Sequence, residues 1–234
     1  ELKKYLNQEI DIVINLSGQQ NTKYKEMIEV INIGNKNILE LAEKMKKKIT
    51  LIYISTSLVY GFSKINLKES SKKKPLNYYE KIKYKVEKNY KKTNQNFLIL
   101  RLCNIYGGKK KFGIIELIIK SIKNKNNFYF DNINTFKNFI FINDVVNIIE
   151  VLIRKNIKNK VLNVGNQNIS FINLSNFLRR LTNNCITFHN KDISLKKTLS
   201  QKIDNTLVKK IMKNYKFKTL QNYLKDEIRN KKIL

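Results

Sequence analysis

At 234 residues with 42% hydrophobic side chains, the chain can bury a sizeable core, and its composition excludes the disordered classes. A net charge of +29 would suit nucleic acid or an anionic membrane, yet lysine is spread along the whole chain and only five of the 47 basic residues are arginine. With asparagine and isoleucine equally inflated, that pattern is a drift in residue usage, and no nucleic-acid partner is expected without clustered basic residues and interleaved aromatics.

Residues 1–10 read as the end of a helix. Asp11 to Gly18 is an apolar run ending in small residues, as expected of a buried parallel strand. A helix follows from about Tyr24 to Lys47, with Ile28, Ile31, Ile38, Leu39, Leu41 and Ala42 available for packing. Then come a strand over 49–56, a helix over 76–93 after the single Pro75, and a strand over 96–104. Strands alternating with helices predict right-handed crossovers and an α/β, doubly wound parallel sheet. After Gly107 the pattern loosens into a helix over 114–124, a short strand Phe128–Phe130, a helix over 144–155 with Asp144 as its N-cap, a strand over 161–164, a helix over 171–181 and a terminal helix.

Cys103 lies in an apolar run, and with Cys185 it suggests a reduced, cytoplasmic compartment rather than a disulfide framework. Neither cysteine has metal-ligand company and His189 has no evident partner, so no metal site is expected. Apolar runs such as Ile114-Ile115 and Ile118-Ile119 are broken by Glu116 and Lys120, far short of the ~18 residues of a membrane span.

The chemistry concentrates between Tyr53 and Glu87, where a strand ends in Ser55-Thr56-Ser57 and the following helix carries Tyr79 and Lys83. Residues four apart on a helix share a face, so a phenol and an ammonium can be aimed at one point. Bringing a phenol from its ordinary pKa near 10 to neutrality requires about 4 kcal/mol of preferential stabilisation of the phenolate. A lysine cation about 6 Å away supplies roughly 2 to 3 kcal/mol of it. The Thr56 hydroxyl would hold the substrate oxygen that gains or loses the proton. In a lysine-rich chain the spacing alone is cheap, since it also occurs at Tyr60/Lys64, Tyr84/Lys88 and Tyr106/Lys110. Tyr60 and Tyr106 are each followed by Gly, which marks strand-end turns. On the remaining helix Tyr79, Ile82, Val86 and Tyr90 define the packed stripe and Lys83 lies within it, whereas Tyr84 and Lys88 share a charged face with Lys81, Lys85 and Lys92. A lysine on a packed stripe needs a partner or a task.

Several segments together resemble the extended short-chain dehydrogenase/reductases, particularly the nucleotide-sugar epimerases, dehydratases and reductases. They are Asp11–Gly18, Asn32-Ile-Gly34, Ser55-Thr-Ser-Leu-Val-Tyr-Gly61, Pro75 with Tyr79-xxx-Lys83-xxx-Glu87, Leu100-Arg-Leu-Cys-Asn-Ile-Tyr-Gly107, Phe139-xxxx-Asp144 and Leu162-Asn-Val-Gly165. The resemblance implies a Rossmann-like domain over 1–112, with one strand and helix returning from about 135–160, and a smaller C-terminal α/β substrate lobe over 113–234. It implies Thr56, Tyr79 and Lys83 as the catalytic triad, and NAD or NADP held near Leu16, Ser17, Gly18, Asn32 and Ile54 together with Tyr79 and Lys83. Thr56, Ser57, Asn104 and Lys137 would meet a nucleotide sugar, Lys137 standing where the family usually has Arg and so lacking the bidentate fork. It further implies a homodimer through the helices near 25–46 and 76–93.

No glycine-rich phosphate loop is present in the 234 residues. In the family that loop lies upstream of the strand resembling Asp11–Gly18, so the chain is expected to be a fragment lacking the first βα units, which need not be active alone. The family's 4,6-dehydratases carry Asp-Glu directly after the catalytic Thr, whereas Ser57-Leu58 follow Thr56. Elimination is thus disfavoured, leaving NAD(P)-dependent 4-epimerisation first and ketosugar reduction second. A non-catalytic dinucleotide sensor would keep the fold while dropping Tyr or Lys, and both are present.

Overall fold

The structure, a computed structural model, describes residues 9–18, 26, 28–108, 113–190 and 200–230. Most of the helix end expected over 1–10 lies outside them, as does the expected start of the helix at Tyr24. The strands are β1 (Ile12–Asn15), β2 (Thr50–Thr56), β3 (Ser63–Leu67), β4 (Asn96–Leu102), β5 (Asn104–Tyr106), β6 (Phe128–Phe130), β7 (Phe136–Phe141), β8 (Lys160–Val164), β9 (Gln167–Ser170), β10 (Phe188–Asn190) and β11 (Gln201–Ile203). The α-helices are α1 (Gly34–Glu43), α2 (Tyr78–Tyr90), α3 (Ile114–Lys123), α4 (Ile142–Arg154), α5 (Phe171–Leu181), α6 (Thr206–Met212) and α7 (Leu220–Asn230). Helix α1 is preceded by a π-helical turn at Ile28–Ile33, and a 3-10 turn spans Ser57–Tyr60.

The chain divides into two units. The first comprises Glu1–Gly61, Glu69–Leu102 and Val151–Asn163, and the second Phe62–Lys68, Cys103–Glu150 and Val164–Leu234. The first is built on a sheet of order β1-β2-β4-β8, in which β2 runs parallel to both β1 and β4. Strand β2 is apolar, aromatic or β-branched along most of its length and buried on both faces, as a central parallel strand must be. Its residues Leu51 and Tyr53 pack with Ile31, Ile82, Val86 and Tyr90 from the helices. The expected buried strand at the start of the chain is only partly so. Among the described residues β1 has a neighbour on one side, and Ile14 is 41% exposed.

The second unit holds β5-β7-β9, with β5 parallel and β9 antiparallel to β7, and two small parallel pairs, β6 with β10 and β3 with β11. Its core gathers aromatic and aliphatic residues, among them Phe130, Phe139, Ile118, Leu174 and Leu224.

Several boundaries differ from expectation, among them the helix expected over 76–93, which runs Tyr78–Tyr90. Helix α1 stops at Glu43 rather than Lys47, because the Lys44 and Met45 amides bond back to Leu41 and Ala42 and the chain must then extend into β2. The strand expected over 96–104 breaks at Cys103, whose amide bonds to the Val164 carbonyl. Asp144 is not an N-cap: α4 already begins at Ile142, and the Asp144 carboxylate accepts the Tyr215 hydroxyl (2.7 Å) and the Lys218 amide (3.0 Å). The terminal helix is two, α6 and α7, parted after Lys213 takes a positive φ of 43°.

Candidate active site

Three pieces of the first unit meet at Lys83. Helix α2 starts where its capping box puts it. The Asn77 side chain accepts the Glu80 amide at 2.9 Å, while the Glu80 carboxylate accepts the Asn77 amide at 3.4 Å and the Leu76 amide at 2.6 Å. That fixed start turns Ile82, Lys83, Val86 and Tyr90 inward. Lys83 is 3% exposed, and its ammonium donates to the Ile54 carbonyl at 2.6 Å and the Ser17 carbonyl at 3.4 Å. It also lies 4.6 Å from the centroid of the Tyr53 ring, which stacks on Tyr90 at 4.9 Å. Burial pulls the Lys83 ammonium down to about 8, against an opposite push from the Glu87 carboxylate one turn further on.

The turn after β1 is shaped to reach that ammonium. Asn15 accepts the Ser17 amide at 2.9 Å and donates to Asn35 at 2.7 Å and to the Tyr90 hydroxyl at 3.1 Å. Gly18 follows with a φ of 131°, and a Cβ there would stand 3.1 Å from the Lys83 nitrogen. The Ser17 hydroxyl is buried without a hydrogen-bond partner among the described residues.

Thr56 closes β2 in extended conformation and caps the 3-10 turn, its hydroxyl accepting the Leu58 amide at 3.2 Å. A hydroxyl used as acceptor still has a hydrogen to donate. Tyr79 sits one turn before Lys83 and packs against the first-unit core. Burial, with a smaller push from Glu80, raises its pKa, so the chain by itself holds the phenol protonated.

Ser17, Gly18, Ile54 and Lys83 are therefore brought together, with Thr56 two residues beyond Ile54 and Tyr79 on the same helix as Lys83. Leu16 is 69% exposed at the end of β1. Asn32 lies half-buried in the π-helical turn, and Ser57 is buried at the start of the 3-10 turn. Asn104 and Lys137 belong to the second unit. There Asn104 on β5 donates to the Asn138 carbonyl at 2.8 Å, and Lys137 on β7 is 5.2 Å from the Phe62 ring.

Sequence reasoning missed the polar cluster behind this site. Glu87 and Arg101 are both fully buried and form a bidentate pair, with the Arg101 Nη2 atom 2.6 Å and its Nε atom 3.0 Å from the two carboxylate oxygens. The signal was an acidic residue on the packed stripe four after Lys83, and an arginine inside an apolar strand of a chain that otherwise uses lysine.

The profile described as "NAD dependent epimerase/dehydratase family" matches residues 1–165. A dTDP-D-glucose 4,6-dehydratase of Dictyostelium discoideum is 28% identical over 181 residues, covering 68% of this chain and 42% of the relative. A GDP-6-deoxy-D-talose 4-dehydrogenase of Aggregatibacter actinomycetemcomitans is 28% identical over 141 residues, covering 58% of this chain and 48% of the relative. These matches span under half the length of each curated relative. Among solved structures, the UDP-glucuronic acid 4-epimerase of Bacillus cereus, in complex with UDP-glucuronic acid and NAD, superposes with a TM-score of 0.81 at 20% identity, covering 98% of this chain and 78% of that one. That likeness carries the Rossmann-like α/β fold, and the profile match carries the lineage: the chain belongs to the NAD dependent epimerase/dehydratase family.

Proposed function

We propose that the whole protein is an NAD(P)-dependent 4-epimerase of a nucleotide-activated sugar, with Tyr79 as acid and base, Lys83 as its electrostatic support and Thr56 as the hydroxyl that holds the reacting oxygen. One observation carries this: Lys83 is buried with its ammonium anchored on the strand that ends in Thr56, one helical turn from Tyr79. A lysine is seldom buried without a task.

The residues present fit the nicotinamide cofactor. The buried Ser17 hydroxyl, without a partner among the described residues, offers a polar contact, and Gly18 leaves no side chain between it and Lys83. Ser17, Gly18, Ile54 and Lys83 would hold it, with Leu16 and Asn32 flanking. Bound, it supplies the hydride acceptor and a positive charge. Tyr79 takes the proton from the sugar hydroxyl and later returns it, and the Lys83 cation favours the phenolate in between. The Thr56 hydroxyl fixes the sugar oxygen. Asn104 and Lys137 are further proposed substrate contacts, Lys137 as a point charge toward a phosphate.

Ketosugar reduction is the second function, favoured by the relative named a 4-dehydrogenase. Dehydration, the activity named for the other relative, is disfavoured because Ser57 and Leu58 put no carboxylate beside Thr56. The exposed sides of α1 and α2 are proposed to pair with their copies in a homodimer.

The test is incubation of the full-length protein with UDP-, GDP-, CDP- and dTDP-hexoses and NAD or NADP, and separately with nucleotide 4-ketosugars and NADH or NADPH, followed by NMR and mass spectrometry. A C4 epimer supports the proposal, and a reduced product from a 4-ketosugar supports the second. A product lighter by one water overturns both.

A further inference from the structure

The fully buried polar cluster behind Lys83 has connections that packing alone does not require. Glu87 lies on α2, one turn beyond Lys83 and two beyond Tyr79. Its Oε1 atom accepts the Ser55 hydroxyl at 2.6 Å and the Arg101 Nε–H at 3.0 Å, and its Oε2 atom accepts the Arg101 Nη2–H at 2.6 Å. Arg101 comes from β4, directly opposite Ser55 in the parallel register. Its other branch donates to the Tyr60 hydroxyl at 2.7 Å and to the Glu69 carbonyl at 3.2 Å, while its guanidinium carbon lies 4.8 Å from the Tyr60 ring centroid. Tyr60 in turn donates to the Asn163 side chain at 2.7 Å.

The cluster thus grips the Thr56 segment at both ends. Ser55 precedes Thr56, and Tyr60 ends the 3-10 turn that Thr56 caps. The residue before Ser55 is Ile54, whose carbonyl holds the Lys83 ammonium. Two opposite charges sealed from water are weak agents of stability, because hydrophobic side chains of similar volume serve a core as well or better. What they supply, and an apolar pair cannot, is directional hold on three elements at once.

We propose that the Glu87–Arg101 pair, through Ser55 and Tyr60, is a positioning clamp that fixes the Thr56 segment against the helix bearing Tyr79 and Lys83. This rests on the catalytic assignment of those three residues made above. None of the clamp residues is assigned contact with the substrate. They act by setting the separation of groups whose misplacement by about 1 Å can cost about 10²-fold in rate.

The experiment uses the full-length protein, with Ser55→Ala removing one anchor and the double variant Glu87→Met/Arg101→Met removing both charges at similar volume. Two readouts are taken: hydrogen exchange by mass spectrometry over residues 55–60, and kcat and KM on the nucleotide sugar turned over by the wild type. The double variant is expected to exchange at least about 10-fold faster over 55–60, with exchange over 49–53 unchanged. Its kcat should fall about 10²-fold with KM within about threefold, and Ser55→Ala should move both readouts part of the way. Unchanged exchange over 55–60 overturns the clamp whatever the activity. If Tyr79→Phe is inactive and the double variant turns over like the wild type, the clamp falls and the catalytic assignment stands. If Tyr79→Phe is fully active, the catalytic assignment falls and exchange alone decides the clamp. Should the double variant not fold, Ser55→Ala, which leaves the ion pair intact, decides by the same readouts.

Discussion

One helix carries the Tyr-x-x-x-Lys spacing twice, and the two copies have opposite fates. In the Tyr79/Lys83 copy the lysine is buried, tied to two backbone carbonyls and depressed to about 8 by loss of water. In the Tyr84/Lys88 copy Lys88 is exposed, and its ammonium lies 5.1 Å from the centroid of its own partner ring. The five-residue offset rotates one pair about 140° from the other. Spacing therefore sets which groups can meet, and the face of the helix sets whether the meeting is worth anything chemically.

The largest expected difference is in turnover. In the full-length enzyme Tyr79→Phe should lower kcat by about 10² to 10⁴, the usual worth of a positioned acid-base group, with little change in Tm, whereas Tyr84→Phe should stay within about twofold of wild type. Equal activity of the two variants would erase the distinction.

Lys83 should also leave a trace in stability. Between pH 8 and 10.5 the unfolded chain holds a proton on this lysine that the folded chain has largely lost, so the Lys83 contribution to stability rises with pH across that window. The displacement from 10.5 to about 8 corresponds to about 3 kcal/mol. Urea unfolding at pH 7.5 and pH 10 should show the wild type gaining on Lys83→Met at the higher pH, and parallel behaviour would contradict the burial of the charge.

Smaller effects separate the helix end from its faces. Asn77→Ala removes the cap and should cost about 1 kcal/mol in urea unfolding, because the Glu80 amide and the start of α2 lose their anchor. Lys88→Met, which removes only a solvated cation from above a ring, should cost no more than about 0.5 kcal/mol by the same measurement.

Much of the fold was legible because the signals were local. The apolar periods around Ile114 and Phe171 end where α3 and α5 end, within a residue. The inward face of α2 was legible too, including Lys83 among apolar neighbours. What escaped depends on partners far away in sequence. Ser63–Leu67 is polar enough to pass for loop and becomes a strand only by pairing in parallel with Gln201–Ile203. Asp144 sits where a helix cap is expected, but its carboxylate is claimed by Tyr215 and the Lys218 amide. Glu87 and Arg101 showed as parts of two separate motifs, and nothing in either says that they pair.

The guanidinium of Arg101 also marks a limit on how freely this chain can trade one basic residue for another. Almost everywhere a cation is wanted here, lysine supplies it, since a solvated charge asks only for reach. At Arg101 two edges of a planar fork are engaged at once, Glu87 on one and the Tyr60 hydroxyl with the Glu69 carbonyl on the other. A single ammonium cannot span both. An Arg101→Lys exchange, tolerable at a solvated position, would here leave either the buried Glu87 carboxylate with only the Ser55 hydroxyl or the buried Tyr60 hydroxyl without its donor, so at this one position geometry resists the exchange.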